Sequence, residues 1–165
     1  MKEISPYEFD FNSFYKFGKD WALIVVEDSK EDNVMTISWG QSGILWSRPI
    51  ISVFVRNNRY TKHMMDNSSF FSVCFFDNKY KNELSLCGTK SKKEVDKIKA
   101  CGFTRAKEDN VLYIQEANIT FIVKKIYQVD LPINSETDST ILKHYKQNEY
   151  HTQYFGEIIK ILINE

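Results

Sequence analysis

The chain has no excess of charge of either sign, no long apolar run and few of the residues that build metal or dinucleotide sites. Its 165 residues carry 22 Lys and Arg against 22 Asp and Glu, so no global charge draws it to nucleic acid or to an anionic membrane. Any anion site has to be a local concentration of basic groups. No apolar run approaches the roughly 18–20 residues needed to span a bilayer. The opening Met-Lys-Glu-Ile-Ser-Pro-Tyr-Glu lacks the apolar core of a secretory signal. Cys74, Cys87 and Cys101 are odd in number and lack a C-x-x-C spacing, which leaves free thiols in a reducing cytoplasm as the expectation. Without an H-E-x-x-H, a Cys/His cluster or carboxylates paired at ligand spacing, no metal is expected. The glycines at 18, 40, 43, 88, 102 and 156 form no G-x-G-x-x-G, so no Rossmann unit holds a dinucleotide. Internal repeats, low-complexity tracts and linkers are missing as well.

What is present is aromatic and β-prone. Twelve Phe, nine Tyr and three Trp exclude a disordered chain, and the length suits one domain over residues 1–165 with a substantial core. Trp21–Glu27 and Val34–Trp39 read as a hairpin around the charged turn 28–33. Ile50–Val55, Phe70–Phe76, Val111–Ile114, Ile119–Val129 and Tyr154–Asn164 read as further strands, and residues 40–49 and 103–110 as loops. Several of the strands are apolar on both faces, which requires a barrel covered on its outside by helices or by a second subunit; both covers are expected, hence a homodimer. Short helices are predicted after Asn12-Ser13, over Tyr60–Asn67 and Asn78–Leu84, and around Ile141 to Tyr145. A further helix is expected after the Ser91-x-x-Glu94 capping box, carrying Val95 and Ile98 inward and stopping near Gly102.

Three segments stand out for chemistry. Ile50–Val55 empties into Arg56-Asn-Asn-Arg59-Tyr60-Thr61, two guanidinium groups beside a helix start, a place that suits a phosphate. On those six residues alone, a solvated strand end with the arginines in surface pairs is the stronger reading. Met35-Thr36-Ile37-Ser38-Trp39 is a strand in which Thr36 and Ser38 share one face and Met35, Ile37 and Trp39 the other. Leu84-Ser85-Leu86-Cys87-Gly88-Thr89-Lys90 offers a glycine for close backbone approach and a lysine. Together with His151–Glu157, the order and spacing of these segments resemble the flavin reductase-like family over nearly the whole chain.

That resemblance implies a mostly β fold with short helices, a split β-barrel of Greek-key, FMN-binding type. It reverses the odds on the arginines. The phosphate of FMN falls to Arg56, Arg59, Tyr60 and Thr61, the ring to Met35, Thr36, Ile37, Ser38 and Trp39, and a third contact to Ser85, Leu86, Cys87, Gly88 and Lys90. Trp46, before Pro49, is a candidate for the substrate mouth. The implied activity is hydride or electron transfer through flavin, with NAD(P)H or a redox protein as donor and no catalytic nucleophile or acid–base pair from the protein. An electron carrier of the flavoredoxin kind, without a small-molecule substrate, is the alternative. A small barrel that binds single-stranded nucleic acid through its aromatics is disfavoured by the zero net charge. Cys87 has a low prior as a redox thiol, because no resolving cysteine is near in sequence. His151 is left without a chemical step. Gln41 departs from the family pattern, which leads one to expect a second glycine there.

Overall fold

The computed structural model describes residues 1–164. Ten strands form in chain order: β1 (Lys2–Ile4), β2 (Ala22–Glu27), β3 (Asp32–Ile37), β4 (Gly40–Leu45), β5 (Arg48–Arg56), β6 (Phe70–Phe75), β7 (Arg105–Glu108), β8 (Val111–Ile114), β9 (Ile119–Leu131) and β10 (His151–Ile163). Four helices join them: α1 (Ser13–Tyr15), which runs on into a wide π-type turn to Asp20, α2 (Tyr60–Asn67), α3 (Lys81–Thr89) and α4 (Lys97–Ala100). The main sheet is antiparallel in the order β3-β2-β6-β9-β10-β5-β4, with β1 added along the far end of β10. Its edge strands, β3 and β4, do not pair with each other, so the barrel is split.

The doubly apolar strands are explained by two cores. Ala22, Ile24 and Val26 of β2, with Ile51, Val53, Val55, Phe71, Val73, Phe121 and Tyr154, fill the barrel. The alternate residues Leu23 and Val25, with Val34 and Cys74, pack outward against Leu84, Cys87, Ile98, Phe103, Leu112 and Ile114. Thus α3, α4 and the β7–β8 hairpin cover one outer face, as the period of two requires when neither face is wet. Strand β10 bulges where Gly156 meets β9. A Cβ at that glycine would lie 2.0 Å from Val123 Cγ1, so the two backbones approach only because no side chain intervenes.

Two expected loops are strands instead. Residues 40–45 pair with β5 through a two-residue turn in which Trp46 (φ 51°) and Ser47 (φ 57°) are both left-handed. Residues 105–108 pair with β8 through Asp109 and Asn110 (φ 50° and 64°). Both are turns of the mirror-image kind that matches strand twist. Neither uses the Asn-Gly signal, so tertiary pairing decides them. The Asn78–Leu84 helix is longer than expected, a 3₁₀ turn at Asn78–Tyr80 running into α3 as far as Thr89. The Ser91 capping box closes locally, with the Glu94 carboxylate accepting the Ser91 amide at 2.7 Å, but the box does not cap the helix itself. Helix α4 begins three residues after Glu94, at Lys97, under the Asp96 side chain, which accepts the Lys99 amide, and it buries Ile98 as expected. It ends at Gly102 (φ 66°), where Phe103 N–H returns to the Ile98 carbonyl. After Asn12 the cap forms on the Tyr15 amide, and the helical run continues through Gly18 to Asp20. Around Ile141–Tyr145 only a 3₁₀ turn, Leu142–His144, is present. Among the described residues no helix is long and apolar enough to cross a membrane.

Candidate functional site

The split in the barrel leaves a cleft of about 390 Å³ beside β3. Its walls are Met35 to Trp39 of β3 and the residues after it, Phe54 and Arg56 at the end of β5, Asn58 and Arg59 before α2, Gly88 in the last turn of α3, and His151 at the start of β10. Segments far apart in sequence meet here because β5 and β10 are hydrogen-bonded neighbours, His151 lying opposite Arg56. A broader hollow of about 820 Å³ adjoins the cleft, sharing Ser38, Trp39 and Phe54 and running along β4. Both fall in the size range of small-molecule sites, about 300–1,000 Å³.

Which face of β3 does what is now visible. Met35 and Ile37 sit in the barrel core, so the Thr36 side is the outer one. The Thr36 hydroxyl donates to the Leu84 carbonyl of α3, and a Cβ on Gly88 would stand only 3.3 Å from Thr36 Cβ. Glycine at 88 therefore lets α3 settle against the strand and brings its own backbone to the cleft. Ser38 is exposed. Trp39 turns its ring to His151 (centroids 4.8 Å apart) and His144 (5.4 Å).

The basic end of the cleft is partly neutralised. Arg56 pairs with Glu149 at 2.9 Å and lies over the Tyr145 ring, 5.5 Å from its centroid. Asn58 donates to the other Glu149 oxygen at 2.9 Å. The Lys146 amide first, and the Arg56 charge after it, hold the Glu149 carboxyl below its usual range. Arg59 differs. Its guanidinium donates to the Gly88 carbonyl, and among the described residues no carboxylate pairs with it. Burial and the neighbouring Arg56 draw it below the ordinary arginine value, and it remains charged. It is also the N-cap residue of α2, which has no side-chain cap; the Lys62 amide already donates to the Arg59 carbonyl, and the amides of Tyr60 and Thr61 are the ones that keep their demand for an acceptor.

The other expected site residues lie elsewhere. The Tyr60 hydroxyl donates to Glu31, and Thr61 is buried, its hydroxyl accepting from Asn33 at 3.0 Å. Both hold α2 against β3. Ser85 and Lys90 are exposed on α3 and just beyond it, Leu86 is half-buried and Cys87 is buried; none of the four lines the cleft. Trp46 occupies the β4–β5 turn, its ring 5.7 Å from Tyr127 and 6.4 Å from Phe155. Gln41 stands in β4 rather than in a loop, where it accepts from Gln153 Nε2 at 3.0 Å in a small network with Ser52. Phe54, Asn58 and His151 are the residues sequence reasoning did not assign. Phe54 was legible, since it shares a strand face with Arg56 at a spacing of two; the His151 position depends on strand pairing.

His151 is neutral at ordinary pH. Burial chiefly, and the Arg56 charge next, pull it down to about 4, and its Nδ1 lies 2.8 Å from the Tyr145 hydroxyl. Between about pH 6.5 and 4 the unfolded chain binds a proton there that the folded chain refuses, so stability is full above pH 6.5 and declines as pH falls, by at most about 3 kcal/mol. The check is the melting temperature against pH for the native chain and for His151→Gln. The variant is expected to lose less stability across that window, and parallel curves would refute the assignment.

A sequence profile described as flavin reductase like domain matches residues 14–165. No curated protein matches the chain in sequence. Among solved structures, flavoredoxin from Methanosarcina acetivorans is similar with a TM-score of 0.71 at 19% identity, over 88% of this chain and 69% of that one. Flavoredoxin of Desulfovibrio vulgaris (Miyazaki F) is similar with a TM-score of 0.68 at 22% identity, again over 88% and 69%. The FMN-binding protein from Thermus thermophilus, solved with 1-cyclohex-2-enone, gives 0.67 at 17% identity, over 87% and 69%. At these identities the likeness is one of fold, a split barrel. With a profile match that leaves out only the first thirteen residues, the chain belongs to the flavin reductase-like family.

Proposed function

We propose that the cleft binds FMN and that the chain is an oxidoreductase that passes hydride from NADH or NADPH through the flavin. The observation that carries this reading is Arg59, a charged guanidinium in the cleft wall without a carboxylate partner, beside Arg56 and at an uncapped helix start. In this reading Arg59, Arg56, Asn58 and the first amides of α2 hold the phosphate. Arg56 then divides its charge between the phosphate and Glu149. The backbone of Met35–Trp39 and the Ser38 hydroxyl meet the polar edge of the ring, with Trp39 and Phe54 against its apolar surface. Bound FMN supplies the electron-transfer chemistry, and no side chain here need act as nucleophile or as acid–base pair.

Nicotinamide, lacking a Rossmann unit, docks transiently in the adjoining hollow along β4. A second reading keeps the same flavin site but makes the protein an electron carrier for a redox partner, as the flavoredoxin neighbours suggest. We further take the exposed Ile44, Trp46, Tyr127, Val129 and Leu131 as the face covered by a second copy, and the three free thiols as suited to the cytoplasm.

The test is an absorbance spectrum of the protein with FMN, followed by anaerobic NADH and then NADPH. Prompt bleaching is expected. Bleaching only by dithionite or a reduced ferredoxin selects the carrier, and failure to bind FMN removes both readings. A monomeric mass by light scattering of the same sample would remove the dimer.

A further inference from the structure

In the outer core beneath α3 and α4, two thiols meet that sequence separation had kept apart. Cys87 on α3 and Cys101 at the end of α4 have their sulfurs 3.6 Å apart. Fourteen residues separate them, so the resolving cysteine that Cys87 lacks in sequence is supplied by the fold. Their accessibilities differ: Cys87 is fully buried, while Cys101 is half-buried and reaches solvent. Cys74 has no such neighbour; its sulfur lies near the Ser72 and Thr120 hydroxyls, fully buried.

The surroundings pull the pair in opposite directions. Lys97, the first residue of α4, is 3% exposed and directs its Nζ to the Cys87 carbonyl at 3.3 Å. It has no carboxylate partner among the described residues, and burial pulls it down to about 8. A cation held beside two thiols favours whichever of them is deprotonated. Against it, burial raises both thiols, and the charge of Glu83 acts in the same direction. The thiolate population is therefore small and the exchange slow, as suits a pair that stays reduced until a strong disulfide challenge.

We propose that Cys87 and Cys101 form a reversible disulfide, entered through Cys101 by exchange with a low-molecular-weight disulfide. The Cys101 thiolate attacks one sulfur of the reagent and expels the other half as a thiol, leaving a mixed disulfide on Cys101. Cys87 then gives up its proton and attacks Cys101 Sγ, expelling the second thiol. Two protein thiols are oxidised and one reagent disulfide is reduced to two thiols, so protons and electrons balance. The sulfurs need to close by roughly 1.5 Å to reach bonding distance. The bond ties the end of α3 to the end of α4, one residue from Gly88 in the cleft wall, and does not depend on the flavin assignment.

The experiment incubates the full chain with glutathione disulfide, quenches and unfolds it in denaturant containing N-ethylmaleimide so that every remaining thiol is trapped, and reads the intact mass and the tryptic peptides. Expected is a chain that has lost two hydrogens, carries one maleimide on Cys74, yields a Cys87–Cys101 cross-linked peptide and reverts fully with dithiothreitol. Cys87→Ala is expected to retain glutathione on Cys101, because nothing resolves it, and Cys101→Ala to remain unmodified. Three unmodified thiols after prolonged incubation, a glutathione adduct that persists on the native chain, or a cross-link involving Cys74 would each overturn the proposal. Because the readout is a mass, failure of flavin binding leaves it undisturbed.

Discussion

Arg59→Ala is expected to weaken FMN binding roughly tenfold to hundredfold, the measure of a charge-assisted contact worth about 1.5–3 kcal/mol. Riboflavin, the same ring without the phosphate, is expected to bind almost as well to the variant as to the native chain. The asymmetry follows from where the guanidinium sits. Arg59 stands at the opening of α2, tethered only to the Gly88 carbonyl, so its charge is available to an incoming dianion. Arg56 is expected to matter less when removed alone, because Glu149 already engages it at 2.9 Å and its loss frees that carboxylate to repel the phosphate only from the rim. Removing both leaves the uncapped helix and Asn58 as the phosphate's remaining contacts. The titration by flavin fluorescence discriminates cleanly. If FMN and riboflavin weaken equally, the arginine supports the ring or the fold and the phosphate lies elsewhere. If neither weakens, the cleft is not the flavin site.

Phe121→Ala is expected to cost about 3–5 kcal/mol of stability, a fall in melting temperature of roughly 10 °C for a chain of this size. Phe121 is 1% exposed on β9, at the centre of a ring cluster. Its centroid lies 5.0 Å from Phe11, 6.1 Å from Phe9 and 6.1 Å from Phe75, and Phe17 joins through Phe75 at 5.2 Å. Phe9 and Phe11 belong to the segment before α1, so this cluster is what holds the N-terminal strap on the barrel. Truncating the ring removes the buried area, opens a cavity and releases the strap's anchor, three losses that the rigid sheet recovers only in part. Chemical denaturation of the variant measures it. A cost below about 1 kcal/mol would mean that the strap and neighbouring rings collapse into the space.

The regular parts of the fold were readable because they depend on local pattern. The continuous β-prone apolar runs over Trp21–Glu27, Ile50–Val55 and Phe70–Phe76 correspond to β2, β5 and β6, shifted by at most two residues at either end. Their apolar content on both faces was enough to demand an outer layer, and α3, α4 and the β7–β8 hairpin supply one. The Arg56–Arg59 pair stood out for the same reason, two like charges at a strand end where a helix begins. All five residues from Met35 to Trp39 line the cleft together with that pair, because one short strand and one strand end each carry their own face and polarity with them.

What tertiary structure alone decided is equally specific. Trp46-Ser47 takes a left-handed turn that its residues do not prefer, because strand pairing on either side outweighs the local strain, whereas Asp109-Asn110 is a pair that tolerates the same conformation. The Ser91–Glu94 box closes ahead of the helix, and α4 starts instead at Lys97 under the Asp96 cap, with Ile98 and Phe103 in the outer core. Tyr60 and Thr61 read as ligands in line with the arginines, yet a helix turns each residue by about 100°, and that rotation takes both side chains to Glu31 and Asn33. His151 reaches the arginines through β-sheet register across ninety-five residues, and Cys87 reaches Cys101 through the packing of two helices. The sequence by itself determined the apolar strands of the core, the apolar character of their faces and where the positive charge gathers, since these follow from neighbours along the chain, but not the polar strands β4 and β7. Which side chains face one another across the cleft was settled by long-range pairing and close packing, which no local pattern encodes.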